Sequence, residues 1–286
     1  MMLTIRNYLS LTKPTIMLLV VFTGAAALVV EGSFLGQPLN FALFLAALFL
    51  TGGSANALNQ YFERDIDARM ERTAGRRVLP RGRLTPGQAL VFALVIGAVG
   101  VLMLGVLFNW LTALLAVATI VFYGLFYTLI LKPKTPQNIV IGGAAGAMAP
   151  VGAWAAATGR TELLPWLMFL IIFLWTPPHF WALAMACKDD YVKSGLPMLP
   201  VVAGDRATLR GIVVYSFVLV AVSLTLPLFG AGWLYLACAI VLGAAFLWRA
   251  LGARRRGDPA SVRKLFGFSI LYLFALFTAL MLDAVW

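Results

Sequence analysis

The sequence predicts an all-α, polytopic membrane protein with nine transmembrane helices and a cytoplasmic N-terminus. Three observations predict it. The chain is 62% hydrophobic with a mean hydropathy of +0.93, and its 12% of charged residues is about half what covers a typical soluble domain. It holds nine apolar stretches near the roughly 20 residues that cross a bilayer. Its charges also fall almost entirely on one side of those stretches. Two cysteines among 286 residues exclude a disulfide scaffold.

The first helix, 14–31, is preceded by Arg6, Lys13 and polar residues, with no short apolar segment and small-residue cleavage site, so no removable signal peptide is expected. Helix two, 40–62, carries Asn56, Asn59 and Gln60 inside its span and runs into a charged segment. Helices three and four, 87–108 and 110–131, are joined by only Phe108-Asn109-Trp110. Gly97, Gly100 and Gly105 in helix three, and Gly142, Gly143 and Gly146 in helix five, 137–158, let neighbours approach closely. Helix six, 163–186, contains Pro177 and Pro178, which remove two backbone donors and predict a break or kink. Helices seven, eight and nine follow at 209–229, 231–249 and 265–285. These elements use most of the chain, which predicts a single compact bundle over 1–286.

With this assignment, 21 of the 22 basic and 8 of the 11 acidic residues lie on the side of the N-terminus, a net +13. The other side carries Arg160 against Glu31, Glu162 and Asp283, a net −2. That asymmetry predicts a cytoplasmic N-terminus. The overall +11, which in a soluble protein would suggest nucleic acid, reads here as orientation, and for Arg254, Arg255 and Arg256 as contact with anionic lipid.

The inward loops after helices two and six are long and rich in both signs of charge, and chemistry is expected there. Asn59, Glu63 and Asp67 are spaced four apart, so each is displaced by roughly 40° and about 6 Å from the last on one helix face. A row of oxygens suits a hard cation such as Mg²⁺, which takes a few carboxylates and completes its shell with water and substrate phosphate. Arg69, Arg72, Arg76, Arg77, Arg81 and Arg83 follow, and guanidinium forks match phosphate oxygens. The same charges also read as a solvated loop. The polar residues that begin inside the span favour function, because polar groups are expensive there.

The second cluster is Trp175-Thr-Pro-Pro-His-Phe-Trp181, continuing to Lys188, Asp189, Asp190, Tyr191 and Lys193. Irregular backbone at membrane depth survives where it is buried or lines a cavity, so a pocket is expected beside His179, the one histidine of the chain. A lone histidine reads as a packing residue, as a metal or haem contact, or as a proton-transfer group. Lys13, Lys132 and Lys134 reach a phosphate or merely orient their loops. Gly142-Gly-Ala-Ala-Gly146 follows no strand, which excludes a dinucleotide fingerprint. No P-loop lysine motif is present, which argues against an ATP-driven machine.

The Asn59-x-x-x-Glu63-x-x-x-Asp67 row resembles the first aspartate-rich motif of the UbiA-type intramembrane prenyltransferases, Asn-x-x-x-Asp-x-x-x-Asp. Arg72-Thr-Ala-Gly-Arg76 is similar to their Arg-Thr-x-x-Arg stretch. Within that superfamily the resemblance narrows to the branch that farnesylates haem. It is carried by Leu11-Thr-Lys-Pro14, Asp65-Ile-Asp67, Lys134-Thr-Pro-Gln-Asn-Ile-Val-Ile-Gly-Gly143, Trp175-Thr-Pro-Pro-His-Phe-Trp-Ala-Leu-Ala184 and Gly195-Leu-Pro-Met-Leu-Pro200, and it covers essentially the whole chain.

The resemblance implies nine helices around a central cavity in the cell inner membrane, with active-site loops on the cytoplasmic side. It implies Mg²⁺-dependent transfer of the farnesyl group from farnesyl diphosphate to a vinyl group of haem b, giving haem O. Haem A synthase or an oxidase assembly factor is the partner it suggests. Asn59, Glu63 and Asp67 are the expected catalytic metal ligands, and Arg72, Arg76, Lys132, Lys188 and Lys193 the expected diphosphate ligands. His179 and Trp181 are the expected haem contacts. Glu63 stands where the family has aspartate. Cys187 and Tyr191 stand where the superfamily has a second aspartate pair, which leaves Asp190 as a nearby candidate metal ligand. Two rivals are an aromatic or quinone-precursor acceptor and, from another class, a secondary transporter. Against the transporter, the ionisable groups collect at one membrane edge and no inverted repeat is apparent.

Overall fold

The computed structural model describes residues 2–286, with side chains from Thr4 onward. Among the described residues there is no strand, and nine helical spans are long and apolar enough to cross a membrane. They are Pro14–Glu31, Pro38–Asp67, Pro86–Leu107, Trp110–Lys134, Asn138–Thr158, Leu163–Ala186, Gly204–Phe229, Trp233–Arg256 and Pro259–Val285, called spans one to nine below.

Local chemistry sets many of their ends. Proline occupies the first turn of spans one, two, three and nine, where its missing N–H costs nothing. Thr85 and Gln88 form a reciprocal capping box at the start of span three. Asn109 and Asp258 cap spans four and nine by accepting from the N–H groups of Thr112 and Ser261. Span eight ends at Gly257 with φ of 67°, a left-handed conformation that glycine adopts without strain.

Consecutive spans pack against one another, and span nine returns to pack against span one, so the bundle closes into a ring. Span two is the longest helix at 30 residues, and it packs tightly on span three. There Gly100 permits close approach, since a Cβ would lie 3.1 Å from the Ala47 carbonyl oxygen. Large exposed apolar side chains such as Leu102, Val106, Val241 and Trp248 face outward, where a bilayer solvates them.

The backbone departs from the sequence expectation in three places. A helix, Met2–Leu11, precedes span one. Span six stays helical through Pro177 and Pro178, which the sequence marks as a break. It packs on spans five, seven and nine, and both prolines are buried, so tertiary packing holds the helix where two backbone donors are missing. The irregularities lie in spans four and five instead. Span four becomes a π-helix over Phe122–Leu131, and span five is interrupted at Met148 just before Pro150.

Candidate active site

Span two delivers the carboxylate row into a buried position. Asn59, Glu63 and Asp67 are 1%, 2% and 2% exposed. Two unpaired charges at that burial would be prohibitive, and three cations answer them. Lys132, from the end of span four, bonds Glu63 Oε1 at 2.5 Å. Arg77 bonds the Asp67 carboxylate and lies 3.6 Å from Glu63 Oε2. Lys13 donates to Asn59 Oδ1 at 2.7 Å, and the Asn59 amide donates to Thr128 at 3.0 Å. Burial, with the Arg77 guanidinium nearby, pulls the Lys13 ammonium down to about 7.

The other polar residues of span two build this arrangement. Gln60 donates to the carbonyls of Ser10 and Leu11, and Asn56 to that of Thr12. These carbonyls lie at the C-terminal end of the helix Met2–Leu11, and that of Ser10 also accepts the Lys13 N–H. The cap holds Lys13 at φ 52°, the one non-glycine residue with positive φ among those described. A left-handed lysine costs on the order of 1–2 kcal/mol, and here that conformation accompanies an ammonium directed at the row.

Inside the ring lies a cavity of about 740 Å³. Its charged mouth includes Lys13, Asn59, Arg72, Arg76, Arg77 and Lys132, and its depth is apolar, with Phe44, Leu48, Leu104 and Leu115. The cations therefore stand between the carboxylates and the cavity. Tyr123 and Tyr127, stacked with ring centroids 5.1 Å apart, line it from the π-helical segment. Tyr191 lines it from the loop after span six, where burial pushes its phenol above the ordinary range.

The span-six wall is aromatic. His179 lies between Trp175 and Phe266, with centroids at 4.3 and 4.6 Å, and its Nδ1 is 2.7 Å from Ser269 Oγ. Trp175 donates its indole N–H to the Ser269 carbonyl. Both His179 and Trp175 border the cavity.

The expected site residues thus divide. Asn59, Arg72, Arg76, Lys132 and His179 border the cavity, and Glu63 and Asp67 lie directly behind its cations. Trp181 does not border it: its ring packs edge-on against Tyr215 of span seven, 5.4 Å away. Asp190 does not join the row. Its carboxylate accepts the backbone N–H groups of Glu71 and Arg72 at 3.1 Å each, tying the two charged loops together. Lys193 pairs with Glu71 at 2.5 Å, which raises its ammonium above the ordinary lysine value. Lys188 pairs with Asp205 at 2.8 Å, away from the mouth. Lys13 and Arg77, weighed in the sequence as phosphate contacts but not among the expected diphosphate ligands, contact the row directly.

The row fits a divalent cation in its donor set. Every potential ligand is oxygen, and Glu63 Oε2 is buried with no hydrogen-bond donor among the described residues. No group of three or more His, Cys, Asp or Glu side chains is arranged as a complete cage among those residues.

A closed ring of membrane helices, an apolar cavity and an ionic mouth define a class of membrane enzyme that handles an apolar substrate with an anionic head. The UbiA prenyltransferase family model matches residues 17–278. A protoheme IX farnesyltransferase from Parvibaculum lavamentivorans is 46% identical over 283 residues, 97% of this chain and 88% of the relative. The chain therefore belongs to the UbiA prenyltransferase family, on its protoheme IX farnesyltransferase branch. Its fold is also similar to that of a digeranylgeranylglyceryl phosphate synthase, with a TM-score of 0.82 at 17% identity, covering 99% of each chain. A UbiA homologue from Archaeoglobus fulgidus, bound to GPP and Mg²⁺, has a TM-score of 0.63 at 15% identity, covering 96% of this chain and 99% of that one.

Proposed function

We propose that this protein transfers the farnesyl group of farnesyl diphosphate to a vinyl group of haem b, giving haem O, with residues 1–286 acting as one catalytic unit. The observation that carries the reading is the cationic mouth over a buried carboxylate row, opening into an apolar cavity with an aromatic wall, in a chain nearly half identical to protoheme IX farnesyltransferase along its length. The protein resides in the cell inner membrane with its charged side toward the cytoplasm, and haem A synthase or an oxidase assembly factor receives the product.

Asn59, Glu63 and Asp67 would hold Mg²⁺, which when bound neutralises charge developing on the diphosphate. Lys13, Arg72, Arg76, Arg77 and Lys132 bind the diphosphate oxygens. Lys132 and Arg77 leave the carboxylates for the diphosphate, so both ends of each pair remain compensated when substrate is present. Cleavage of the allylic carbon–oxygen bond leaves the electron pair on diphosphate, where those cations stabilise it. The allylic carbon bonds the terminal vinyl carbon of haem, and the positive charge moves to the vinyl carbon next to the porphyrin. Water adds there and loses a proton, leaving the hydroxyl. The apolar walls exclude other water from the allylic cation, and His179 with Trp175 positions the porphyrin.

The test is the purified protein with Mg²⁺, farnesyl diphosphate and haem b, read by mass spectrometry for hydroxyethylfarnesyl haem. A hydroxybenzoate or quinone precursor offered in parallel decides the acceptor. Prenylation of that acceptor with no haem product sinks the reading.

A further inference from the structure

The hydrogen bonds of the span-six wall fix which nitrogen of His179 carries the proton. Ser269 Oγ has one proton and two polar neighbours: the Phe266 carbonyl at 2.6 Å and His179 Nδ1 at 2.7 Å. A carbonyl oxygen only accepts, so the hydroxyl proton goes to Phe266, and Nδ1 is the donor of the other bond. His179 is thereby held as the tautomer whose Nε2 carries a bare lone pair. Trp175 and Phe266 cover the two faces of the ring, and Ser269 takes its Nδ1 edge. Nε2 has no partner among the described residues and is not one of the polar atoms buried without one, so it opens on the cavity that His179 borders.

A second acceptor stands beside it. Thr176 precedes His179 by three residues and also borders the cavity. The two side chains are therefore neighbours on one helix face, roughly 5–6 Å apart at Cβ. The Thr176 hydroxyl donates to the Ile172 carbonyl at 2.8 Å, and no described group donates to its oxygen, which keeps lone pairs free. Gly143 leaves room there, since a Cβ at that position would lie 3.1 Å from Thr176 Oγ1. A water bridging Nε2 and Oγ1 has both hydrogens drawn to the wall, and its own lone pairs face the cavity.

We propose that His179 Nε2 is the base, and Thr176 Oγ1 the second anchor, for the water that gives the product its hydroxyl. The step rests on the transfer to haem b proposed above. Once the allylic carbon has bonded the terminal vinyl carbon, a lone pair of the held water forms the carbon–oxygen bond at the cation beside the porphyrin. One proton of that water passes to Nε2, and the imidazolium releases it to solvent as diphosphate and product leave. Ser269 is a positioning residue that keeps Nε2 unprotonated beforehand. Without a held water, the same cation loses a proton from its neighbouring methylene to diphosphate and becomes an alkene, a product lighter by one water.

The test is the full chain in detergent with Mg²⁺, farnesyl diphosphate, haem b and isotope-labelled water, with the two farnesylated haems separated by mass spectrometry. The unsubstituted protein should give the labelled hydroxyl product. His179→Phe should still bind haem but raise the ratio of alkene to hydroxyl product by at least about a hundredfold, the lower range for a lost general base. Thr176→Val keeps the shape and should raise the ratio about fivefold, the worth of one hydrogen bond. Ser269→Ala, which frees the tautomer, should raise it as well. A ratio unchanged in either His179→Phe or Thr176→Val overturns the proposal. Loss of both products in His179→Phe with haem still bound also overturns it, because the imidazole would then act before the carbon–carbon bond forms. Absence of either farnesylated haem from the unsubstituted protein overturns the transfer itself.

Discussion

The ionic mouth and the aromatic wall of the cavity are built on opposite principles. At the mouth, the Glu63 and Asp67 carboxylates are met by Lys132 and Arg77, and Lys13, Arg72 and Arg76 add further basic groups around them. At the wall, His179 is fixed by two stacked rings and a single hydroxyl, with no charge partner. The mouth is thus a balance that an anionic ligand completes, whereas the wall is a rigid surface suited to a flat, apolar one. Electrostatic elements tolerate little change because each partner left behind is a buried charge. Stacked elements lose only the contact removed.

The largest expected effect follows from breaking that balance. Glu63→Ala strips Lys132 of its partner in a buried site and should destabilise the fold by about 3–5 kcal/mol. Thermal unfolding in detergent measures this, and a midpoint equal to that of the unsubstituted protein would show that the cations find other partners. Asp67→Asn keeps the shape and removes one charge. It should fold, and its turnover should fall by roughly a hundredfold, the loss typical of a group that stabilises transition-state charge. Haem farnesylation that continues undiminished would remove Asp67 from the proposed metal site.

The wall answers more gently. His179→Ala removes the ring that braces Trp175 against the cavity and should weaken haem binding about tenfold, the equivalent of roughly one misplaced aromatic contact of 0.5–1.5 kcal/mol, and leave the affinity for farnesyl diphosphate unchanged. His179→Phe keeps the stack, gives up the bond to Ser269, and should recover most of the loss. Haem and farnesyl diphosphate titrations of the two variants separate positioning from proton transfer. Loss of turnover in His179→Phe with haem affinity intact would assign the imidazole a chemical role.

The two regions also differ in how far the sequence reveals them. Nine spans are legible because each needs a long apolar run, and the row is legible because a spacing of four stacks side chains on one helix face. Lys13 joins Asn59 across 46 residues, and Lys132 joins Glu63 across 69, so no local pattern identifies either pairing. The functions of Asn56 and Gln60 are hidden in the same way, since they cap a helix that the apolar pattern does not mark. At the wall, spacing alone would have corrected one choice. Trp175 is four residues from His179 and shares its face, whereas Trp181 is two residues away, about 200° around the helix. It meets span seven instead. The run Pro177-Pro178 pointed to a break because the missing donors are visible in sequence and the packing that supports the helix is not.

The loop after span six supplies the smallest expected effect and the finest test of the contrast. Lys188, Asp190 and Lys193 look alike in sequence, a charged cluster beside the membrane, yet only Asp190 is tied to backbone donors of the segment that carries Arg72 and Arg76. Lys188 pairs with Asp205 where both side chains are substantially exposed, and such pairs contribute about 0–1 kcal/mol. Lys188→Ala should therefore change turnover and the Michaelis constant for farnesyl diphosphate by less than about twofold. A change as large as that of Lys132→Ala would mean that the loop moves Lys188 onto the diphosphate during turnover. The ionic mouth would then extend beyond the cations that now cover the carboxylates.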